Sequence, residues 1–105
     1  MRAVAAGQIE PEGDGVLQLA DLIASDPSPE VRRAAAGELA GTESAAAVNA
    51  LVGTLDDSDP EVVIEALDSL VFAGDETVIP QIRPYTQHSN RDIAEAALEA
   101  VEFLE

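Results

Sequence analysis

The densest group of potential metal ligands in the sequence is the acidic run Asp56-Asp57-Ser58-Asp59. Closely spaced carboxylates are the ligands that calcium prefers. The run lacks, however, the glycine at the sixth position and the later bidentate glutamate of an EF-hand calcium loop. Pro60 directly follows Asp59, and proline is favoured in the first turn of a helix. We therefore interpret Asp59 as a helix cap and predict no metal site.

Two single residues invite a chemical role. His88 is the only histidine, and without cysteine or a second histidine it has no obvious partners for a metal or catalytic site. His88 occupies the repeat position that Asp26 and Asp57 occupy in the preceding units. We therefore expect its side chain to form a hydrogen bond within the loop before the next helix. Tyr85, the only tyrosine, fits two roles: an aromatic anchor for a partner or a packing cap at the edge of the core.

Motifs for enzyme chemistry are absent from the sequence. There is no glycine-rich phosphate loop with lysine, no Gly-x-Ser-x-Gly elbow and no His-Glu-x-x-His zinc motif. The sequence therefore predicts no catalytic residues, no cofactor and no enzyme activity.

A repeat positions these residues. Ser28-Pro29-Glu30-Val31, Asp59-Pro60-Glu61-Val62 and Asn90-Arg91-Asp92-Ile93 begin at intervals of 31 residues. Each opens with a residue that can cap a helix and carries an acid in the first turn, where the helix dipole favours negative charge. A fixed interval with matching chemistry indicates an array of helical units that contact mainly their neighbours.

Apolar residues follow each cap at one helical spacing, which predicts a buried stripe on three helices. The predicted stripes are Val31, Ala35 and Leu39; Val62, Ala66 and Leu70; and Ile93, Ala97, Val101 and Leu104, with Ala36, Leu67 and Leu98 widening them toward the core.

The same patterning orders the elements along the chain. Residues 1–10 predict a first A helix, and residues 16–25 its B helix, with apolar residues at helical spacing. The second unit has its A helix to about Ala40, a break at residues 41–44 and a B helix with Val48, Leu51, Val52 and Leu55. The third A helix ends near Ala73 and is followed by a short B helix at 76–86, which Pro84 should kink or end. A last A helix covers 91–104.

Length and composition bound the molecule further. A chain of 105 residues with 47% hydrophobic residues and few aromatics predicts one domain with an aliphatic core. No apolar run approaches the roughly 20 residues of a membrane helix, and no secretory signal is evident. We expect a cytoplasmic protein, and the uneven ends of the array leave weak self-association open.

Acidity is the strongest compositional feature. Twenty-one acids against five bases give a formal charge of −16, and lysine is absent. Such a surface repels the phosphates of nucleic acids and anionic lipids, so neither is an expected partner. Two explanations remain: adaptation to a high-salt cytoplasm, where charge repulsion is screened, and complementarity to a basic partner. The complete lack of lysine favours a halophilic source.

The halophilic interpretation makes a testable prediction. The free energy of unfolding should rise as salt increases from low to multimolar concentration, because salt screens the repulsion among the carboxylates. Urea denaturation at a series of sodium chloride concentrations measures it. A flat profile would contradict the halophilic interpretation.

The repeat resembles the HEAT-like repeats of phycobilisome lyases. The resemblance rests on Asp26-Pro27-Ser28-Pro29-Glu30-Val31-Arg32-Arg33-Ala34-Ala35, on Asp57-Ser58-Asp59-Pro60-Glu61-Val62 with Ala66 and Leu70, and on Gly74-Asp75 before Val78-Ile79-Pro80. It implies an all-α, right-handed α-α superhelix, or solenoid, of about three and a half helical hairpins. The units would be about 1–27, 28–58, 59–88 and 89–105. In the family, an arginine directly after the valine pairs with loop aspartates from unit to unit and so forms a ladder. In this sequence Arg32 occupies that position, but the equivalent positions in the next two units hold Val63 and Ala94, so the ladder would be incomplete.

What the resemblance implies for function is a noncatalytic scaffold that binds another protein, because the B helices of such arrays line a concave surface. The alternative is an accessory subunit or a lyase-type enzyme component related to bilin lyases. The B-helix positions outside the core form the candidate partner surface, although they could equally be merely solvated. These candidates are Gln18, Asp21, Asn49, Asp56, Gln81, Tyr85 and His88.

Overall fold

The computed structural model describes residues 15–41 and 44–105, and within these ranges the chain is helical with no strand. The first A helix predicted at residues 1–10, and Thr42 and Glu43 of the predicted break, lie outside the described residues. Six α-helices and two short 3-10 stretches follow one another. They are α1 (Val16–Ser25), α2 (Pro29–Leu39), α3 (Ala45–Thr54), α4 (Pro60–Ala73), a 3-10 turn (Glu76–Val78), α5 (Ile79–Ile82), a 3-10 turn (Arg83–Gln87) and α6 (Arg91–Leu104).

The three predicted caps are confirmed. The Ser28 hydroxyl accepts from the Val31 amide at 3.4 Å, and the Asp59 carboxylate accepts from the Glu61 amide at 2.8 Å. Asn90 accepts from the amides of the second and third residues of α6. Each side chain satisfies amides that have no acceptor within the helix. These caps therefore fix where α2, α4 and α6 begin.

The helices form two layers. The A helices α2, α4 and α6 pack side by side, while α1, α3 and the segment 76–87 form the B layer against them. The described part of the molecule extends 48 × 29 × 14 Å, and the smallest dimension corresponds to two layers of helices. The predicted all-α solenoid of stacked helical hairpins is confirmed.

The core between the layers is aliphatic, as predicted. Its largest fully buried side chains include Leu39, Leu51, Leu67, Leu70 and Ile82. The buried hydroxyl of Ser69 donates to the Ala36 carbonyl at 3.0 Å and joins α4 to α2. Among the described residues, no buried side-chain nitrogen or oxygen lacks a hydrogen-bond partner. The buried apolar residues form one cluster that extends from Val16 on α1 to Val101 on α6, so the core is continuous.

Two residues predicted to be buried are exposed. Val31 is 38% exposed and Leu98 is 49% exposed, although their repeat equivalents Val62 and Leu67 are fully buried. The reason is their position in the stack. Among the described residues, α4 has an A helix on either side, whereas α2 and α6 each have one on a single side. Ala100, which the prediction missed, is buried instead.

The third B segment is interrupted where the sequence predicted a distortion. Pro84 has no amide to donate to the carbonyl of residue 80, and the α-helix α5 gives way to a 3-10 turn at Arg83. Before it, Gly74 ends α4 in a tight space, because a Cβ there would lie 3.0 Å from the Leu70 carbonyl oxygen. This B segment therefore has only four residues of α-helix.

Candidate functional site

The B-layer face presents the candidate partner residues. Gln18 and Asp21 lie on α1 and Asn49 on α3, and all three are exposed. The other candidates follow α3 or lie on and after the interrupted segment. All seven candidates are exposed or half-buried, but the structure brings only part of the set together: Asp56, Tyr85 and His88.

Tyr85 is the centre of this cluster. Its hydroxyl donates to Oδ1 of Asp56 at 2.8 Å, and this bond joins two neighbouring repeat units. Its ring lies parallel to the His88 imidazole, with centroids 6.3 Å apart and an interplanar angle of 10°. Burial raises the pKa of the Tyr85 hydroxyl, and the Asp56 carboxylate raises that pKa further. The hydroxyl therefore stays protonated and serves as a hydrogen-bond donor.

His88 also has the loop role that the repeat predicted. Its Nδ1 accepts from the amide of Asn90 at 2.9 Å. In the earlier units the Asp26 and Asp57 carboxylates accept from the amides of Ser28 and Asp59, each at 2.8 Å. The acceptor of this bond stands two residues before each cap, and in the last unit the bond restrains the orientation of the imidazole beside Tyr85.

The remaining candidates are separate from the cluster. Asn49 borders a shallow depression with Gly74, Asp75 and Thr77, where α3 faces the end of α4. The Gln81 amide, oriented to donate, reaches the carbonyls of Thr77 and Val78 in its own segment. Gln18 and Asp21 make no side-chain hydrogen bond to another described residue.

A groove between α1 and α3 adds residues that were not among the sequence candidates, apart from Asp56. It has a volume of about 370 Å³ and an apolar floor. The groove is open because most of the side chains that line it are small. The alanines at helical spacing on these two neighbouring B helices were the feature of the sequence that could have indicated it. The lining residues are Ala20, Ile23, Ala24, Ala50, Gly53, Thr54, Asp56 and Asp57.

An ion pair fixes the acidic end of this groove. Arg32 donates to the two carboxylate oxygens of Asp57 through Nε at 2.9 Å and Nη2 at 3.1 Å, and Nη1 donates to the Asp26 carbonyl at 2.8 Å. Burial raises the pKa of Asp57, but the hydrogen bonds from Arg32 and the Asp59 amide outweigh it and hold the pKa below its ordinary value. The one arginine at this repeat position therefore forms the rung that the resemblance implied.

The described residues hold no group of three or more side chains placed to bind a metal ion. Their longest helices, α4 and α6, have 14 residues each, and none of the described helices is long and apolar enough to cross a bilayer. The B-layer face thus combines a fixed aromatic side chain, a hydrogen-bonded carboxylate and an apolar groove.

Comparison with known proteins assigns the family. A search of curated proteins found no match, and a search of solved structures found none either. A family model described as HEAT repeats matches residues 16–102, which is most of the chain and covers α1 to α5 in full and α6 as far as residue 102. The match does not distinguish the phycobilisome-lyase type from other HEAT repeats. With its capped A helices and its two-layer stack, the chain belongs to the HEAT-repeat family.

Proposed function

We propose that this protein is a noncatalytic, cytoplasmic scaffold that binds another protein on its B-layer face. HEAT repeats are generally protein-interaction scaffolds, and stacked hairpins offer an extended surface for a partner. The contact region would consist of the Tyr85 cluster with Asp56 and His88, and the adjoining groove between α1 and α3.

The observation that carries this proposal is the fixed position of Tyr85. Aromatic side chains dominate many protein interfaces because they remove a large area from water at a small loss of conformational freedom. The bond to Asp56 and the stacking on His88 already restrict this ring before any partner binds. A preorganised aromatic group loses less entropy on association, so it favours affinity.

The groove complements this anchor. Asp56 belongs both to the Tyr85 cluster and to the groove lining, so the two features form one continuous surface. Its apolar floor would accept a small apolar side chain of the partner, while the acidic end would favour a donor or a cation.

Affinity capture with defined variants tests the proposal. Immobilised wild-type protein should recover a specific protein from an extract of the source organism, and Tyr85→Ala should reduce that recovery by about tenfold or more. Tyr85→Phe removes only the hydroxyl and should cause a smaller loss, because the ring and its stacking remain. Circular dichroism of each variant verifies that the fold is retained.

Two substitutions of acidic residues provide a further test and its matched control. Asp56→Asn should weaken capture, whereas Glu95→Gln, at an exposed position on α6, should leave it unchanged. Capture that survives Tyr85→Ala undiminished would contradict the proposed surface. Reproducible turnover of a small molecule by the purified chain would contradict the noncatalytic function.

A further inference from the structure

The two phenylalanines of the chain are placed outside the core. Phe72 on α4 is 73% exposed and Phe103 on α6 is 68% exposed, although the core around both helices is built from aliphatic side chains. They occupy equivalent repeat positions, since 103 − 72 = 31 residues. Large exposed aromatic side chains at a repeated position are typical of a contact surface rather than of a solvated face.

A stripe of matching residues leads to each phenylalanine. On α4 it runs Glu61, Asp68, Phe72, and on α6 it runs Asp92, Glu99, Phe103. Because seven and eleven residues are each close to a whole number of helical turns, the members of a stripe share one helix face. All six residues are exposed. The equivalents of the last two positions are Gly37 on α2 and Gly41 just after it, so α4 and α6 alone among the described A helices carry the stripe.

The two stripes belong to one surface. The helices α4 and α6 pack side by side in the A layer, and neighbouring helices lie about 8–10 Å apart. Burial raises the pKa of Asp68, and repulsion from the carboxylates of Glu65 and Glu99 raises it further. Asp68 and Glu99 occupy equivalent repeat positions on these two neighbouring helices, so the acids of the two stripes belong to the same region. We call the six residues of the two stripes the Phe72/Phe103 face.

This face has unbalanced negative charge. The ion pairs of Arg33 reach Glu61 and Glu65 at 3.6 Å each, at the border with α2. Among the described residues, no arginine lies within ion-pair distance of Asp68, Asp92 or Glu99. A second copy of this chain would bring like charges together, whereas a cationic segment would remove the repulsion.

We propose that the Phe72/Phe103 face docks a cationic amphipathic helix of another protein. Two apolar side chains of that helix, seven residues and so about 10.5 Å apart, would reach across two neighbouring helices whose axes lie about 8–10 Å apart. Lysine or arginine flanking them would lie near Asp68 and Glu99, one helical turn before each phenylalanine. This surface lies on the A layer, so it is additional to the proposed B-layer contact and independent of it.

A synthetic peptide tests the proposal directly. The probe is a fluorescein-labelled helical peptide with leucine at two positions seven residues apart and lysine at the flanking positions. Its binding to the full chain is measured by fluorescence anisotropy. The double variant Phe72→Ala/Phe103→Ala should weaken binding by at least about tenfold, because it removes both aromatic contacts. Asp68→Asn/Glu99→Gln should weaken it several-fold at about 0.1 M salt, and less at about 1 M, where charges are screened.

Matched controls isolate the face. Leu17→Ala removes an exposed apolar side chain on α1, and Asp21→Asn removes an exposed carboxylate there; each should change the affinity by less than about twofold. Tyr85→Ala should also bind the peptide like wild type, so this proposal and the B-layer function succeed or fail separately. A second peptide with glutamate in place of lysine should not bind.

Three outcomes would overturn the proposal. They are binding that is insensitive to Phe72→Ala/Phe103→Ala, equal binding of the glutamate peptide, and a dimer in sedimentation that this double variant abolishes. The last result would assign the face to a second copy of the chain. The expected sedimentation result for the chain without peptide is a monomer.

Discussion

Leu67→Ala is expected to lower the free energy of unfolding by about 2–5 kcal/mol, the cost of a large cavity in a packed core. Leu67 is fully buried on α4. That helix packs against α2 on one side, α6 on the other and α3 in the opposite layer. Because neighbours surround the site, the structure has little freedom to collapse into the cavity. Urea denaturation followed by far-UV circular dichroism measures the change.

The repeat supplies a matched control for this substitution. Leu98 occupies the same repeat position on α6 but is half exposed, so Leu98→Ala should cost less than about 1 kcal/mol. The two substitutions remove the same atoms at equivalent positions in the repeat. Equal losses of stability for both variants would contradict the described stack, in which α4 is interior and α6 is terminal among the described A helices.

The second large effect is expected at Asp57. Its side chain is only 9% exposed and accepts two hydrogen bonds from Arg32 and one from the Asp59 amide. Asp57→Ala removes all three and leaves the guanidinium with only the Asp26 carbonyl among these partners. The pair is largely covered but not fully buried, and the guanidinium keeps one partner, so we expect a loss on the order of 1–2 kcal/mol, less than for a fully buried pair.

Asp57 should also make stability depend on pH. Its pKa is lowered in the folded chain relative to the ordinary value of 3.8. A lowered pKa means that the unfolded chain binds the proton more tightly, so the contribution to stability is complete above the unfolded value and is lost as the pH falls below it. The difference in unfolding free energy between wild type and Asp57→Asn should therefore shrink as the pH falls from about 6 to about 3.

Asp26→Asn is the control for the loss of the ion pair with Arg32. Asp26 makes the same loop hydrogen bond to an amide two residues ahead, but Arg32 contacts its backbone carbonyl and not its carboxylate. The asparagine oxygen can still accept from the Ser28 amide. We therefore expect only a small change in stability at neutral pH. A pH-independent gap between wild type and Asp57→Asn would show that the ion pair contributes nothing.

Local chemistry explains what could be predicted from the sequence. Ser28, Asp59 and Asn90 cap helices through amides two or three residues away, so their effect depends only on neighbouring residues. The helix interruption after α5 follows from the missing amide of Pro84 in the same way. The loop hydrogen bond of His88 could be predicted because the 31-residue interval makes His88 the repeat equivalent of Asp26 and Asp57.

Long-range geometry explains what could not be predicted. Asp56 and Tyr85 are 29 residues apart, and their hydrogen bond depends on how two units are stacked. The exposure of Val31 and Leu98 depends on which helices flank α2 and α6, although their sequence pattern matches that of buried residues. The outward position of Phe72 was equally hidden, since an apolar residue near the end of a helix is as easily read as part of the core.

The interrupted third B segment bears on the order in which the chain folds. Its α-helical part has four residues, far fewer than an isolated helix needs to persist in water. The segment should therefore acquire its shape only by docking onto preformed neighbours, and it packs chiefly on α6. Folding would then begin among α1 to α4, whose contacts are local, and would spread toward the C-terminal helix. The irregular segment and α6, which pack on each other, would join this core together in a late event, with α6 also packing on α4.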